Sequence, residues 1–319
     1  MNFPEKIGQL RQIISDTLTP LITRDYLLLD VPYHGNIGDT LIWQGETDFL
    51  NTLPYKCKGV YSAHSWRGHS CLRHEAVILL HGGGNFGDLW DGAQDFRTSI
   101  IQEYPDNRIV MFPQSVWYDN PSSIKKDAEI MARHKDLHLC ARDQWSYDFL
   151  KKHFGANHIY LVPDMAFFIN DCRMAPYRGL KSHKDLYIKR IDKEILTSTP
   201  ENIGSDTEIR DWPTLEHTPL RLRLIEKATS FSHYKLIRPI TSIINKNTSW
   251  LIMHPLVTKG CKFLSSYNNV TTTRLHVLIL SILLHKPVTF MDNCSGKISA
   301  FAQTWLKDLD DIKPYDIKL

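Results

Sequence analysis

The sequence contains no apolar run long enough to cross a bilayer, and it has no large excess of either charge. The longest apolar run, residues 275–284, is about half the length that a membrane-spanning helix needs. Thirty-eight basic and 35 acidic residues are interspersed and leave a net charge of +3, so the basic footprint of a nucleic-acid-binding domain is missing. We therefore expect neither a membrane span nor a nucleic-acid partner.

Paired cysteines and a secretory leader are also missing. None of the six cysteines shows C-x-x-C spacing, which argues against the common zinc-site patterns and against a disulfide framework. Residues 1–21 lack the apolar core of a signal peptide and show the spacing of an amphipathic helix instead. We expect a cytoplasmic protein without a metal site. Its thiols should be reduced and mostly buried; they are Cys57, Cys71, Cys140, Cys172, Cys261 and Cys294.

The sequence does contain a regular alternation of short β-rich apolar runs and helical patterns. Near-continuous apolar strands separated by helices predict a parallel sheet covered on both faces. A chain of 319 residues also has room for two such domains. In the first half, strands are predicted at residues 26–31, 57–62, 76–81, 108–113, 137–141 and 158–162.

A polar stretch with proline and glycine, residues 171–184, indicates a linker. We place an N-terminal α/β domain at residues 1–170 and a C-terminal α/β domain at residues 171–319, whose last helix could pack back on the first. The predicted fold class is α/β with two Rossmann-like domains, and ligands of such sheets bind at the carboxyl ends of the strands. The second half has predicted strands at 185–190, 268–272 and 287–292, and a helical region at 219–267 interrupted near Pro255.

The pattern Gly-Asn-x-Gly-Asp occurs twice, at residues 35–39 and 84–88. Each copy follows an apolar run, and we expect each to open a helix. Glycine lets a backbone approach a ligand closely, and a helix N-terminus offers unpaired N–H groups. Asp39 and Asp88 either cap these helices or face the interdomain cleft and bind substrate hydroxyls, one of them acting as a base.

Residues 82–87 also fit the G-x-G-x-x-G fingerprint of dinucleotide-binding proteins. That site needs an acidic residue at the end of the following strand to hold the ribose. Pro113 and Gln114 stand there instead, and the duplication argues against a single pyrophosphate site. A nicotinamide or flavin enzyme is therefore disfavoured.

Basic side chains and a histidine follow several other predicted strands. Arg274 and His276 lie in the first turn of a helix, where positive charge is unfavourable unless an acid or a bound anion offsets it. Lys297 ends the loop after the next strand, and Arg142 directly follows the strand at 137–141. These groups could serve structural roles: they could pair with nearby acids, cap helices or lie in solvent. We favour the alternative, in which they together form a positive site of the size of a phosphate.

Taken together, eight motifs in order resemble the polysaccharide pyruvyl transferase family, from about residue 30 to residue 305. The resemblance implies an arrangement similar to GT-B glycosyltransferases, with phosphoenolpyruvate as donor and no cofactor. It implies a sugar of a surface or exported polysaccharide as acceptor, with a pyruvate ketal and phosphate as products. The motifs are GNIGDTLI, LLHGGGNFGD, MFPQS, ARDQWS, LVPDMAF, TTTRLH, LLHKPV and DNCSGK.

Carried over onto these motifs, the resemblance assigns catalysis to His276 and donor binding to Arg142, Arg274 and Lys297. Two positions depart from the family pattern. Thr273 stands where an aspartate is common, so Thr273 or another acid must orient the histidine or the arginine. Cys294 and Ser295 replace a usual aromatic. The glycine loops supply the expected acceptor residues Asn36, Asp39, Gly84, Asn85 and Asp88.

This chemistry suits the residue types. Phosphoenolpyruvate is a small trianion that several cations would hold, and its methylene must be protonated, a task for which histidine is suited. We expect His276 to become a competent acid once the donor is bound. The acceptor could be lipid-linked, which would bring the protein to the inner face of the membrane in peripheral contact with it.

Two alternatives stay open. One is a GT-B glycosyltransferase that uses a nucleotide sugar, although around residues 268–297 only Asp292 could serve as the acid that binds ribose. The other is a non-catalytic sugar-binding protein of a polysaccharide locus, which would not need the four charged residues of the proposed donor site.

Overall fold

The computed structural model describes residues 1–68, 76–90, 92–180, 182, 184–190, 204, 206–292 and 296–315. Strands and helices alternate along the chain as the sequence predicts. The strands are β1 (Tyr26–Leu29), β2 (Cys57–Tyr61), β3 (Val77–Leu80), β4 (Gly83–Gly87), β5 (Ile109–Trp117), β6 (Leu137–Ala141), β7 (His158–Leu161), β8 (Asp185–Ile188), β9 (Thr207–Arg210), β10 (Val270–Thr272), β11 (Val288–Phe290) and β12 (Ile312–Pro314). The helices are α1 (Phe3–Leu18), α2 (Ile37–Leu50), α3 (Ala93–Glu103), α4 (Pro121–Ala132), α5 (Gln144–His153), α6 (Asp171–Met174), α7 (Pro213–Glu216), α8 (Leu220–Ser230), α9 (Arg238–Lys246), α10 (His254–Ser265), α11 (Leu275–Leu283) and α12 (Lys297–Trp305).

The first sheet is parallel and has the order β2-β1-β3-β5-β6-β7, with β4 beside the distal part of β5. Its strands send alternate side chains to two apolar cores, as the period of two requires. In β1, Leu28 belongs to one core, whereas Leu27 and Leu29 belong to the other. The prediction of a parallel sheet covered on both faces is confirmed.

The second sheet is also parallel, in the order β12-β11-β10-β8-β9. In both sheets, the order in which the chain adds strands changes side once. After β1 the chain adds β2 on one side and then β3 on the other, and after β8 it adds β9 and then β10 in the same manner. Crevices for ligands form where such connections diverge. The loops after β1, β3, β8 and β10 therefore flank the two places where a site is expected.

One apolar core joins the two sheets. It contains Leu28 and Val77 of the first sheet, Leu186 and Val270 of the second, and buried side chains of α1, α2, α10 and α11. Helix α12 contacts the first half of the chain, since Phe301 stacks on Phe167 with 6.1 Å between ring centroids. The second half thus packs closely on the first.

Several elements differ from the sequence prediction. The segment expected to be a linker contains α6, and the long helical region is divided into α8, α9, a π-helical turn (Ser249–Met253) and α10. Pro255 is the second residue of α10, where the missing N–H costs little. No helix among the described residues is long and apolar enough to cross a bilayer.

The cysteines are only partly as expected. Cys140 and Cys261 are buried free thiols, whereas Cys57 and Cys172 are free and exposed. The expectation of mostly buried thiols is wrong for these two, because Cys57 lies on β2 at the sheet edge and Cys172 on the short helix α6. Cys71 and Cys294 lie outside the described residues.

Candidate functional site

Arg142, Asp164 and His276 meet in one buried group. The Arg142 Nη1 atom donates to Asp164 Oδ2 at 2.8 Å, and His276 Nε2 lies 3.3 Å from the same oxygen. His276 Nε2 also lies 3.5 Å from Arg142 Nη1. Arg142 directly follows β6, Asp164 precedes a 3₁₀ turn (Met165–Phe168), and His276 lies in the first turn of α11. The fold therefore brings the predicted acid and one predicted donor-binding residue onto one shared carboxylate.

The Asp164 carboxylate stays ionised in this group. Burial alone would raise its pKa, but His276, Arg142 and the backbone N–H of Ala166 together hold the pKa well below its usual range. Asp164 is 1% exposed, so little water weakens these interactions. The ionised carboxylate accepts a hydrogen bond from Arg142 and lies next to the His276 ring, so it helps to fix the positions of both side chains.

Each glycine loop comes close to a charged side chain of this group. A Cβ atom added at Gly38 would lie 2.6 Å from His276 Nδ1, and one added at Gly84 would lie 2.9 Å from Arg142 Nη2. Lys297 is 7% exposed, and its Nζ donates to the Gly84 carbonyl at 3.0 Å. Glycine at both positions thus lets two backbone segments close around Arg142, His276 and Lys297.

Arg142 is also held by contacts outside this group. Its Nε donates to Ser115 Oγ at 2.9 Å, and its backbone carbonyl accepts from Trp305 Nε1 at 2.8 Å. The neighbouring Asp143 is the N-cap of α5 and accepts from the Ser146 N–H. The capping alternative is therefore correct for Asp143, whereas the Arg142 side chain belongs to the buried group.

Arg274 pairs with Asp211. Arg274 Nη2 lies 2.5 Å from Asp211 Oδ2, and its Nε contacts the other carboxylate oxygen. Both residues are buried, at 4% and 2% exposure. The ion pair that the sequence left open as an alternative is thus present, and it occupies one edge of the guanidinium that was expected to hold the donor.

Thr273 does not orient the histidine through its hydroxyl. Its Oγ1 donates to the Ile188 carbonyl at 3.2 Å and accepts from the Arg190 N–H at 3.3 Å, which ties β10 to β8. Two other acids contact the basic residues in question, Asp164 at His276 and Asp211 at Arg274. Of the two expectations for this position, the structure matches the one in which another acid takes over.

The first glycine loop opens α2 as expected, but its cap is Asn36. The Asn36 Oδ1 accepts from the Gly38 N–H at 3.0 Å, and its Nδ2 donates to Asp39 Oδ2 at 2.8 Å. Asp39 lies in the first turn and is 3.7 Å from His34 Nε2. Of the two alternatives for Asp39, the capping one does not hold, because Asn36 is the residue that caps α2.

The second glycine loop does not open a helix. Residues 83–87 form β4 along β5, and α3 begins only at Ala93 after Gly92. The Asp88 carboxylate accepts from the N–H groups of Asp119 and Asn120 at 2.7 and 3.0 Å. Asp88 therefore fixes the loop after β5 and does not cap α3.

Asn85 is held by a buried arginine. Arg97 donates to Asn85 Oδ1 at 2.6 Å and to its carbonyl at 3.0 Å, and it pairs with Asp30 at 3.1 Å. Asp30 directly follows β1 and has a φ of 67°, a conformation that costs a non-glycine residue free energy and is often found at functional sites. The pair connects the carboxyl end of β1 with the second glycine loop.

A second buried acid lies beneath the second glycine loop. Glu46 of α2 accepts from the Gly82 N–H and contacts His81 Nδ1, both at 2.8 Å. Burial raises the pKa of the Glu46 carboxyl, and His81 opposes that shift. Sequence reasoning gave no role to Glu46, Arg97, Asp30, Asp164 or Asp211; only Asp164 lay within a motif that carried the family resemblance.

One group of possible metal ligands occurs among the described residues, at Asp136, His138 and His158. It lies at the amino ends of β6 and β7, at the sheet edge opposite to Arg142. His138 Nε2 is 2.7 Å from Asp136 Oδ1. The group is therefore separate from the candidate site. Residues 293–295, which include Cys294 and Ser295, lie outside the described part of the chain.

Several known proteins resemble this chain in sequence. The sequence profile of the family described as polysaccharide pyruvyl transferase matches residues 36–295. The chain is 31% identical to "Putative pyruvyl transferase EpsO" of Bacillus subtilis (strain 168), over 96% of this chain and 94% of that protein. It is 29% identical to "Pyruvyl transferase 1" of Schizosaccharomyces pombe (strain 972 / ATCC 24843), over 88% of this chain and 69% of that protein.

A solved structure shares the fold. It is the crystal structure of an uncharacterized protein from Klebsiella pneumoniae subsp. pneumoniae NTUH-K2044, with a TM-score of 0.59 and 17% sequence identity, and the match covers 96% of this chain and 98% of that one. At that sequence identity, the match supports a shared fold and nothing about function. The profile match spans most of the chain and includes Arg142, Asp164 and His276, and on this basis the chain belongs to the polysaccharide pyruvyl transferase family.

Proposed function

We propose that the protein transfers the enolpyruvyl-derived group of phosphoenolpyruvate to a sugar of a surface or exported polysaccharide, or to its lipid-linked precursor. Two sugar hydroxyls become bridged by a pyruvate ketal, and phosphate is released. The observation that carries the proposal is the buried group in which Asp164 contacts both Arg142 and His276. The names of the relatives, both pyruvyl transferases, support it.

The donor would lie against the basic residues. Arg142 and Lys297 are fixed beside Gly84, and Arg274 is fixed by Asp211. Preorganised cations hold a phosphate and a carboxylate without further cost in side-chain entropy. Asp164 and Asp211 offset part of this positive charge.

His276 would act as the general acid. It donates a proton to the terminal methylene of phosphoenolpyruvate, and the carbon that bears phosphate gains oxocarbenium character. One sugar hydroxyl then adds to that carbon and passes its proton to the His276 imidazole, which is thereby protonated again. A second hydroxyl displaces phosphate, which leaves with the remaining proton, so atoms and charges balance. No cofactor is needed for these steps.

The acceptor would lie beside the glycine loops, near Asn36, Asp39, Asn85 and Asp88. Asn36 and Asp39 contact one another, and Arg97 holds Asn85, so these groups present a fixed arrangement. We propose that the two sheets correspond to the two domains of a GT-B-like arrangement, divided near residue 170. The reaction would take place in the cytoplasm.

The proposal is tested by product analysis. The purified protein is incubated with phosphoenolpyruvate and synthetic glycosides that differ in their pairs of neighbouring hydroxyls. We expect phosphate release together with a product heavier than the glycoside by one pyruvate less one water. The matched control is His276→Asn, which should lose turnover and keep the thermal shift that phosphoenolpyruvate causes.

The same assay separates the alternatives. Thermal stabilisation by a nucleotide sugar, with release of nucleotide and no response to phosphoenolpyruvate, would mean that the protein is a glycosyltransferase. Binding of saccharides without release of phosphate or nucleotide would mean a sugar-binding protein. A ligand at about a hundred times its dissociation constant adds roughly 2.7 kcal/mol to stability, which is easily measured.

A further inference from the structure

One surface of the second half combines exposed apolar side chains with positive charge. It is built from α8, α9 and the turns around them, residues 220–250, and we call it the basic apolar face. Leu236 is 90% exposed and Trp250 is 76% exposed. Large apolar groups this exposed are costly in water when they cluster, and such patches mark binding surfaces. The others on this face are Leu220, Leu224, Phe231, Tyr234, Ile240 and Ile243.

The charge of this face has one sign. Residues 220–250 contain six lysines and arginines and the single acid Glu226, a net charge of +5 within a chain whose total is +3. All six cations are exposed, whereas Glu226 is only partly exposed. The cations are Arg221, Arg223, Lys227, Lys235, Arg238 and Lys246.

Apolar and basic groups alternate along the same helices. In α8, Leu222 and Ile225 are buried, while Arg221, Arg223 and Leu224 are exposed. An apolar groove of about 490 Å³ lies along α8 and the turn that follows it. It is lined by Leu224, Lys227, Ala228, Phe231, Tyr234, Leu236 and Ile237.

We propose that the basic apolar face docks on the surface of an anionic lipid bilayer. Exposed lysines and arginines attract anionic headgroups, and each strengthens binding about fivefold. Leucine, tryptophan and tyrosine side chains beside them enter the boundary between headgroups and acyl chains. The combination of one-sided charge and exposed apolar groups is what such a surface requires.

Charge also argues against a second copy as the occupant. A two-fold symmetric dimer places the same patch of both subunits face to face. Here that would bring two surfaces of +5 together with one acid on each side, and like charges across an interface are unfavourable. An anionic surface has the complementary charge.

The face adjoins the loop expected to bind the acceptor. A Cβ added at Gly35 would lie 3.5 Å from Leu222 Cδ2 of α8, and Tyr33 Oη donates to Asn245 Oδ1 of α9 at 3.0 Å. Tyr33, which precedes the first glycine loop, is thus hydrogen-bonded to α9, and Gly35 at the start of the loop lies beside α8. Resting on the proposed function, we infer that the acceptor is presented from the bilayer on a lipid carrier.

Vesicle co-sedimentation of the full chain tests the proposal, without donor or acceptor present. Vesicles of phosphatidylcholine with phosphatidylglycerol should bind the protein, and vesicles of phosphatidylcholine alone should not. Binding should fall in high salt. The double variant Arg238→Glu/Lys246→Glu should bind at least about 25-fold more weakly, because each of the two lost cations strengthens binding about fivefold. Leu236→Ser/Trp250→Ser should weaken binding as well.

The matched control is Lys125→Glu/Lys135→Glu, which makes the same charge change at side chains that are 82% exposed elsewhere. It should bind like the unmodified protein. Equal binding to both vesicle types, no binding to either, or equal weakening by the control would overturn the proposal. So would a dimer in sedimentation analysis that Leu236→Ser/Trp250→Ser dissociates.

Phosphate release with a water-soluble acceptor separates this proposal from the proposed function. The variants of the basic apolar face should keep that activity while losing vesicle binding. Vesicle binding without any phosphate release would contradict the proposed reaction and leave the membrane surface standing. Phosphate release without vesicle binding would contradict the proposed membrane surface and leave the proposed reaction standing.

Discussion

Replacing Gly38 by alanine should displace the His276 ring and leave the rest of the site in place. The added Cβ would lie 2.6 Å from His276 Nδ1 and 2.9 Å from Cγ, whereas ordinary contacts begin at 3.4 Å. The ring must therefore withdraw by about 0.8 Å. Since a misplacement of about 1 Å can cost a catalytic step about 10²-fold, we expect kcat to fall about a hundredfold.

The variant should stay folded. Gly38 lies in the first turn of α2, where alanine is favoured over glycine by up to about 0.5–1 kcal/mol, which offsets part of the strain. The control is Gly8→Ala in α1, whose added Cβ meets no atom within 4 Å; it should keep full turnover. The assays are phosphate release and the thermal shift with phosphoenolpyruvate, which should persist in both variants. Full kcat in Gly38→Ala would refute the idea that the position of His276 controls the reaction.

Three further predictions follow from the same contacts. Gly84→Ala should push the end of the Arg142 side chain aside and raise the KM for phosphoenolpyruvate roughly tenfold, the equivalent of one weakened hydrogen bond to a charged group; an unchanged KM would contradict the donor assignment. Asp164→Asn should lower stability at neutral pH by about 3 kcal/mol, because it breaks a buried ion pair. Since the folded-state pKa of Asp164 is lowered, its contribution is complete above the unfolded value of about 3.9 and is lost as the pH falls below it; urea unfolding curves of the variant and the unmodified protein should therefore converge in acid. Arg97→Lys should loosen Asn85 and raise the KM for the acceptor while sparing the thermal shift with phosphoenolpyruvate, and a loss of that shift would instead place Arg97 on the donor side.

Most of the sheet could be predicted from the sequence, because buried parallel strands are short apolar runs. Residues 137–141 form β6 as predicted, and the strand predicted at 57–62 is present as β2. The strand β4 could not be predicted, since GGNFG has no apolar period. Its extension depends on the positive φ angles of Gly83 and Gly87 and on pairing with β5.

The basic residues of the candidate site could be predicted, but their acidic partners could not. Arg142, His276 and Lys297 follow or begin elements whose ends are visible in the sequence. Asp164 lies 22 residues from Arg142 and 112 from His276, and Asp211 lies between the strand predicted at 185–190 and the helical region predicted at 219–267. Ion pairs between segments so far apart depend on how the elements pack, which local patterns do not record.

The sequence by itself therefore determined the α/β class, the parallel strands and the positions of the glycine loops and of the basic residues, because apolar periodicity and glycine preferences are local. Only the tertiary structure decided that Gly38 faces His276, that Gly84 faces Arg142 and Lys297, and that one carboxylate is shared by Arg142 and His276. The two glycine loops lie side by side because β1 and β3, which precede them, are neighbours in the first sheet. This strand order is set by long-range packing. The same packing leaves the basic apolar face uncovered, although its leucines resemble core residues in the sequence.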